Sequence, residues 1–329
     1  MSGLSGQAPP YLQGMKKILF VFIFLPLLLI DQALAQLPPS LPPNQLTLPA
    51  GNYTLPLHWK GDSLRGRWEP YVALLIPVTL PGCPQTFYMQ FDTGAPYSLF
   101  YGNKLQAIHR KYPATTAPGD SLTNYRFKAG PLPITARQIA IRSFDSSGID
   151  WKNKRAPQII GTLGADLLEN KVIIIDYPRK SLFIGDSLPA HLQPTQLTSF
   201  LFAMRRILLP ATIKGKNTIL YFDTGSSAFE LLTDKATCHK LASDSSGAVQ
   251  YPVQSWGKTL TANTIATNDS ITVGGLTIPV RHATWIEGVS DDQVSQMMKM
   301  GIGGMTGNKL FLSYILVLDT KSKKFGLHR

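Results

Sequence analysis

Residues 90–100 read QFDTGAPYSLF and residues 221–231 read YFDTGSSAFEL, so Phe-Asp-Thr-Gly occurs twice, each time at the end of an apolar run and ahead of small residues. The likeness continues outward from the pair. LIPVTLPG (75–82) parallels LLPATIKG (208–215), matching Pro77 with Pro210, Thr79 with Thr212 and Gly82 with Gly215. Downstream, GPLPITAR (130–137) parallels GGLTIPVR (274–281), and GTLGADLLENKVIIIDYPRKSLFIG (161–185) parallels GMTGNKLFLSYILVLDTKSKKFGLH (304–328) without a gap. Four blocks in the same order make the two halves copies of one structural unit. A chain of 329 residues, 44% hydrophobic and 16% charged, is long enough for two such lobes.

Local patterns say what each unit contains. YVALLIPVTL, TFYMQFD and NTILYFD are β-branched and aromatic runs parted by Pro and Gly turns, which reads as strand, turn, strand. KVIIID and YILVLD read as buried strands. Helical signal is confined to NKLQAIHRKY (103–112), DKATCHKLA (234–242), ADLLEN (165–170) and SDDQVSQMMKM (290–300). The fold class is therefore all-β, mainly strands with a few short helices.

The N-terminus stands apart. From Met15 the chain reads MKKILFVFIFLPLLLIDQALAQ: a short basic start, an apolar run over 18–30, and Ala33-Leu34-Ala35 before Gln36. That is the layout of a secretory signal peptide cleaved after Ala35, with the true start at Met15, and it implies export to the periplasm or beyond. The apolar run is shorter than the roughly 20 residues a helix needs to span a bilayer, so no stable membrane span is expected. The formal net charge of +12 speaks for solubility and general attraction to anionic surfaces. Its basic residues are spread along the chain, and the runs WKNKR (151–155) and KSKK (321–324) lack interleaved aromatics, which argues against a nucleic-acid partner. Two cysteines, Cys83 and Cys238, cannot make a disulfide framework; they lie in different halves and either pair or stay as free thiols. The six histidines show no metal-ligand spacing, so neither a metal site nor a cofactor is expected. GIGGMTG (301–307) has no βαβ unit after it and reads as a turn.

The repeated triplet carries the chemistry. A carboxylate at the tip of a tight turn needs glycine two residues on, where the backbone turns sharply and is closely approached. The threonine between them can bond within its own lobe or across to the sister loop. Two such loops about a pseudo-twofold axis bring two aspartates together over one water, and two like charges so close cannot both ionise. One carboxylate then accepts a proton from the attacking water while the other donates to the carbonyl oxygen.

On these residues the chain resembles the pepsin-like and retropepsin-like aspartic proteases, over residues 70–329. The resemblance implies a bilobal pepsin-like acid protease fold with two pseudo-twofold-related, β-barrel-like lobes, and an aspartic endopeptidase acting on peptide or protein substrates as a monomer. It implies Asp92 and Asp223 as the catalytic pair and Thr93, Gly94, Thr224, Gly225 and Ser226 as supports of their loops. Ser226 would bond the outer oxygen of Asp223, a role Ala95 cannot fill for Asp92. TLG (162–164) and MTG (305–307) stand where the family has an apolar-apolar-Gly segment, and the second is a departure from that pattern. Trp256-Gly257, 18 residues before Gly274-Gly275, matches a substrate-binding flap, the hairpin that closes over substrate. With 38 residues from Asp92 to Gly130 against 51 from Asp223 to Gly274, the second half is expected to supply it. The alternative is an inactive protein of the same fold that binds or inhibits without cleaving.

The expected organisation is a signal peptide (1–35), a Pro-rich N-terminal segment (36–69), an N-terminal lobe (70–185), a connection (186–206) and a C-terminal lobe (207–329). The Pro-rich segment suits an extended linker, or else adds a strand to the sheet beneath the lobes.

Overall fold

The computed structural model describes residues 41–153, 155–192, 197–243, 247–255, 258–289 and 299–329. The expected signal peptide lies outside the described residues, as do Trp256, Gly257 and most of the helical stretch expected at 290–300. The described chain is mainly β, with α-helices at Gly102–Lys111 and Lys235–Leu241. None of its helices is long and apolar enough to cross a membrane.

Strands form three sheets: an eight-stranded one from the first half, an eight-stranded one from the second, and a six-stranded one to which both halves contribute. The strands that carry the aspartates have the same neighbours in both lobes. Thr86–Phe91 runs antiparallel to Arg67–Thr79 and parallel to Ile159–Leu163. Lys216–Phe222 likewise runs antiparallel to Arg206–Ile213 and parallel to Ile302–Thr306. Alternation sends Phe87, Met89 and Phe91 into the main core, with Tyr88 and Gln90 on the opposite face.

In the shared sheet, Val172–Asp176 pairs antiparallel with Ile315–Asp319, Ile174 opposite Val317. Up to their closing aspartates these strands are apolar, because both faces are covered. Ile173, Ile175, Leu316 and Leu318 join the main core, while Val172, Ile174 and Val317 form a separate cluster on the other side.

Of the two readings of the Pro-rich segment, the added strand holds and the linker does not: Tyr53–Pro56 adds an edge strand to the shared sheet through Ser181–Ile184, and His58–Leu64 forms a hairpin with Arg67–Thr79. That long strand runs across the expected boundary at residue 70. Nor is 301–307 a turn, since Ile302–Thr306 is a strand beside the second aspartate strand. Its glycines answer to crowding. A methyl group on Gly303 would collide with Thr218, and one on Gly304 would sit 2.6 Å from the Leu232 carbonyl oxygen. The two cysteines are unpaired, Cys238 buried and Cys83 half-buried.

Candidate active site

Each aspartate follows its strand directly, anchored from behind by a neighbour. Asp92 N donates to Leu163 O and Asp223 N to Thr306 O, each at 2.9 Å. The chain then turns, and the turn amides point back at the carboxylate. Gly94 N and Ala95 N donate to Asp92 Oδ1 at 2.9 and 3.1 Å, and Gly225 N donates to Asp223 Oδ1 at 2.8 Å. Both carboxylates are fully buried.

The loops meet face to face. A methyl group built on Gly94 would lie 2.5 Å from Asp223 Oδ1, and one on Gly225 would lie 2.5 Å from Asp92 Oδ1. Only glycine lets each carboxylate come so near the opposite loop. The threonines bond across the lobes. Thr93 N donates to Thr224 Oγ1 at 2.9 Å and Thr224 N to Thr93 Oγ1 at 3.0 Å. Their hydroxyls donate in turn to Phe222 O and Phe91 O, at 3.1 and 2.7 Å.

The outer oxygens differ. Ser226 Oγ donates to Asp223 Oδ2 at 2.8 Å, whereas Asp92 Oδ2, beside Ala95, has no donor among the described residues. Burial raises the pKa of both carboxyls, and the charge of Asp223 raises that of Asp92 further. Ser226 and the Gly225 amide oppose the effect of burial at Asp223. Ser226 Oγ and Gly225 N favour the charged form at Asp223, so a proton shared by the pair is biased toward Asp92.

Residues just past Gly164 and Gly307 fasten the loops, and the motifs did not point to them. Asp166 accepts from Ser98 N at 2.8 Å and from Ser98 Oγ at 2.7 Å; burial lifts its pKa to about 6. In the second half Asn308 Nδ2 donates to Thr224 O and Ser227 Oγ, both at 3.0 Å, and Tyr177 OH donates to Asn308 Oδ1 at 2.7 Å. The matching places of Gly-Ala-Asp (164–166) and Gly-Asn-Lys (307–309) in the repeat were the available signal.

Around the dyad the two halves also touch through hairpins. Leu64 and Val72 of the first half pack in one cluster with Tyr221, Phe229, Tyr251, Val253 and Met305 of the second. Lys309 forms an ion pair with Glu69, and Ser227 Oγ donates to Tyr71 O at 2.8 Å. Tyr251 and Val253 belong to the hairpin of Val249–Ser255 and Lys258–Val273, in which Ser255 pairs with Lys258. Trp256 and Gly257, expected to belong to a flap, lie outside the described residues.

Two repeated lobes, each offering an Asp-Thr-Gly loop to a common centre, make this a bilobal pepsin-like fold. Among solved structures, an aspartic proteinase from Irpex lacteus is similar at 14% identity and a TM-score of 0.47, covering 84% of this chain and 97% of that one. No protein-family model matches the sequence, and no curated protein matches it.

Proposed function

We propose that the protein is an aspartic endopeptidase, exported by a signal peptide that ends at Ala35, and that Asp92 and Asp223 activate the water that cleaves the peptide bond. The observation that carries this reading is the approach of two buried carboxylates through facing glycines, so close that the pair is expected to share one proton. Aspartic-protease dyads are the type case of such sharing.

The asymmetry of the outer oxygens assigns the roles. Asp223, kept charged by Ser226 and Gly225, accepts a proton from the water as its oxygen bonds to the carbonyl carbon. Asp92 gives its proton to the carbonyl oxygen, and a neutral tetrahedral diol results. Asp223 then returns a proton to the departing nitrogen, Asp92 regains one from a diol hydroxyl, and the carbon–nitrogen bond breaks to acid and amine. No covalent enzyme intermediate forms.

Cleavage of a peptide mixture by the chain starting at Gln36, from pH 3 to 7, tests the reading. Turnover abolished by Asp223→Asn and by pepstatin supports it. A folded protein that cleaves nothing at any pH overturns it in favour of the second reading, a binding protein of the same fold, which rests on the missing donor at Ala95.

A further inference from the structure

The repeat lets the two sides of the dyad be compared position by position. Two residues before each aspartate, on the same face of the extended chain, stand Gln90 and Tyr221. Beside them in the parallel neighbour, in register, stand Thr162 and Met305. The second-half pair is apolar in its surroundings and fully satisfied. Tyr221 and Met305 pack in one hydrophobic cluster, Tyr221 OH donates to Gly94 O at 3.3 Å, and Ser226 Oγ lies 3.3 Å from Met305 Sδ.

The first-half pair is polar. Thr162 Oγ1 and Tyr101 OH are 3.0 Å apart and share one hydrogen bond, which leaves one hydroxyl proton or lone pair to spare. Burial keeps the Tyr101 phenol protonated well above its usual range. Gln90 is 2% exposed, yet its Nε2 has no acceptor among the described residues. An amide buried without a partner is costly, so such a group calls for an occupant that accepts from it.

Resting on the protease reading, we infer that the subsite beside Asp92 takes a substrate side chain ending in a carboxamide, that of glutamine or asparagine, next to the scissile bond. The carboxamide oxygen accepts from Gln90 Nε2, and its NH2 group donates to the Thr162–Tyr101 hydroxyl pair. A carboxylate in the same place would face the charge of the dyad, and an aliphatic side chain would leave Gln90 unpaired. Gln90 is then the specificity-determining residue of this side, opposite an apolar side built on Tyr221 and Met305.

The test profiles cleavage of a peptide mixture by the wild type and Gln90→Leu. The expected wild type favours Gln or Asn over Leu at one position flanking the cut by about tenfold or more, the worth of one buried hydrogen bond. Gln90→Leu reverses that preference and leaves the other flanking position unchanged. Apolar preference on both sides in the wild type, or a carboxamide preference that survives Gln90→Leu, overturns the inference. If neither protein cleaves, binding of two peptides with a hydroxyethylene in place of the scissile bond, one carrying a glutamine side chain and one a leucine, separates the claims. Tighter binding of the glutamine peptide, lost in Gln90→Leu, supports the subsite while catalysis fails. Equal binding overturns the subsite alone, and binding of neither overturns it together with the protease reading.

Discussion

Thr93 and Thr224 hold each other's loops: each backbone N–H donates to the other's hydroxyl, and each hydroxyl donates to the carbonyl before the other's aspartate. All four bonds are buried and cross between the halves. Thr224→Val keeps the side-chain volume but strands Thr93 N and Phe91 O. It should cost about 2–6 kcal/mol of stability, from two buried groups at about 1–3 kcal/mol each. Thr224→Ser, which restores the hydroxyl, should recover most of it. Urea denaturation of the three proteins decides, and equal stability of Thr224→Val and wild type would show that the crossing bonds contribute nothing.

Ala95 leaves Asp92 Oδ2 without the donor that Ser226 gives Asp223. Ala95→Ser should supply it. A donor to the charged form lowers a carboxyl pKa, so the alkaline limb of kcat/KM, where the shared proton is lost, should move down by roughly one pH unit. An unmoved limb in an active Ala95→Ser enzyme would place the proton elsewhere than on Asp92.

Stability should fall as pH rises from about 4 through about 6. Burial raises Asp166 from 3.8 to about 6, and it raises Asp92 and Asp223 too. In that window the folded chain keeps protons that the unfolded chain has released. Stability from a raised carboxyl is fully present below the unfolded pKa and is lost as pH climbs through the folded one. For Asp166 alone, a rise of about two units corresponds to about 3 kcal/mol as an upper figure. Melting temperatures measured from pH 4 to 7 should decline, and less steeply in Asp166→Asn. A slope that Asp166→Asn leaves unaltered would mean that Asp166 is charged in the fold throughout.

The ion pair of Glu69 and Lys309 joins the first-half hairpin to the turn after Gly307. Arg205 likewise reaches Glu169 at 2.9 Å, so in both pairs the carboxylate comes from the first half. Glu69→Met or Lys309→Met leaves a largely buried charge unpaired and should cost about 3 kcal/mol. Replacing both by methionine should cost less than the two single changes added, as a double-mutant cycle would show. Strict additivity would mean that the pair is not coupled.

Much of this architecture was legible because the repeat is. Matching Pro77 with Pro210 and Asp176 with Asp319 placed equivalent strands in both halves, and the apolar spacing of 103–112 located the helix Gly102–Lys111 to within a residue. The errors share a cause: local composition was read where distant partners decide. Prolines at 42–56 left a linker and an added strand both open, and the choice lies in a distant partner, Ser181–Ile184, on which Tyr53–Pro56 pairs, with Leu55 fully buried. Glycines at 301–304 suggested a turn, yet Gly303 and Gly304 are small because Thr218 and Leu232 press on a central strand. Asp166 and Asn308 escaped notice because their counterparts in the repeat, Lys309 and Ala165, have different chemistry. Gln90 sat unremarked inside an apolar run, since its orphaned amide emerges only once the strand neighbours are known.

The register of the shared sheet carries one more consequence. Ile174 stands opposite Val317, and these are equivalent positions of the repeat, so the two strands meet as the same surface meeting itself. Identical subunits of a homodimer would join in this way about a twofold axis. The chain is built as such a dimer fused into one polypeptide. Fusion released the two copies from having to be identical, and the contrast between Gln90 with Thr162 and Tyr221 with Met305 is a liberty that no symmetric pair of chains could take.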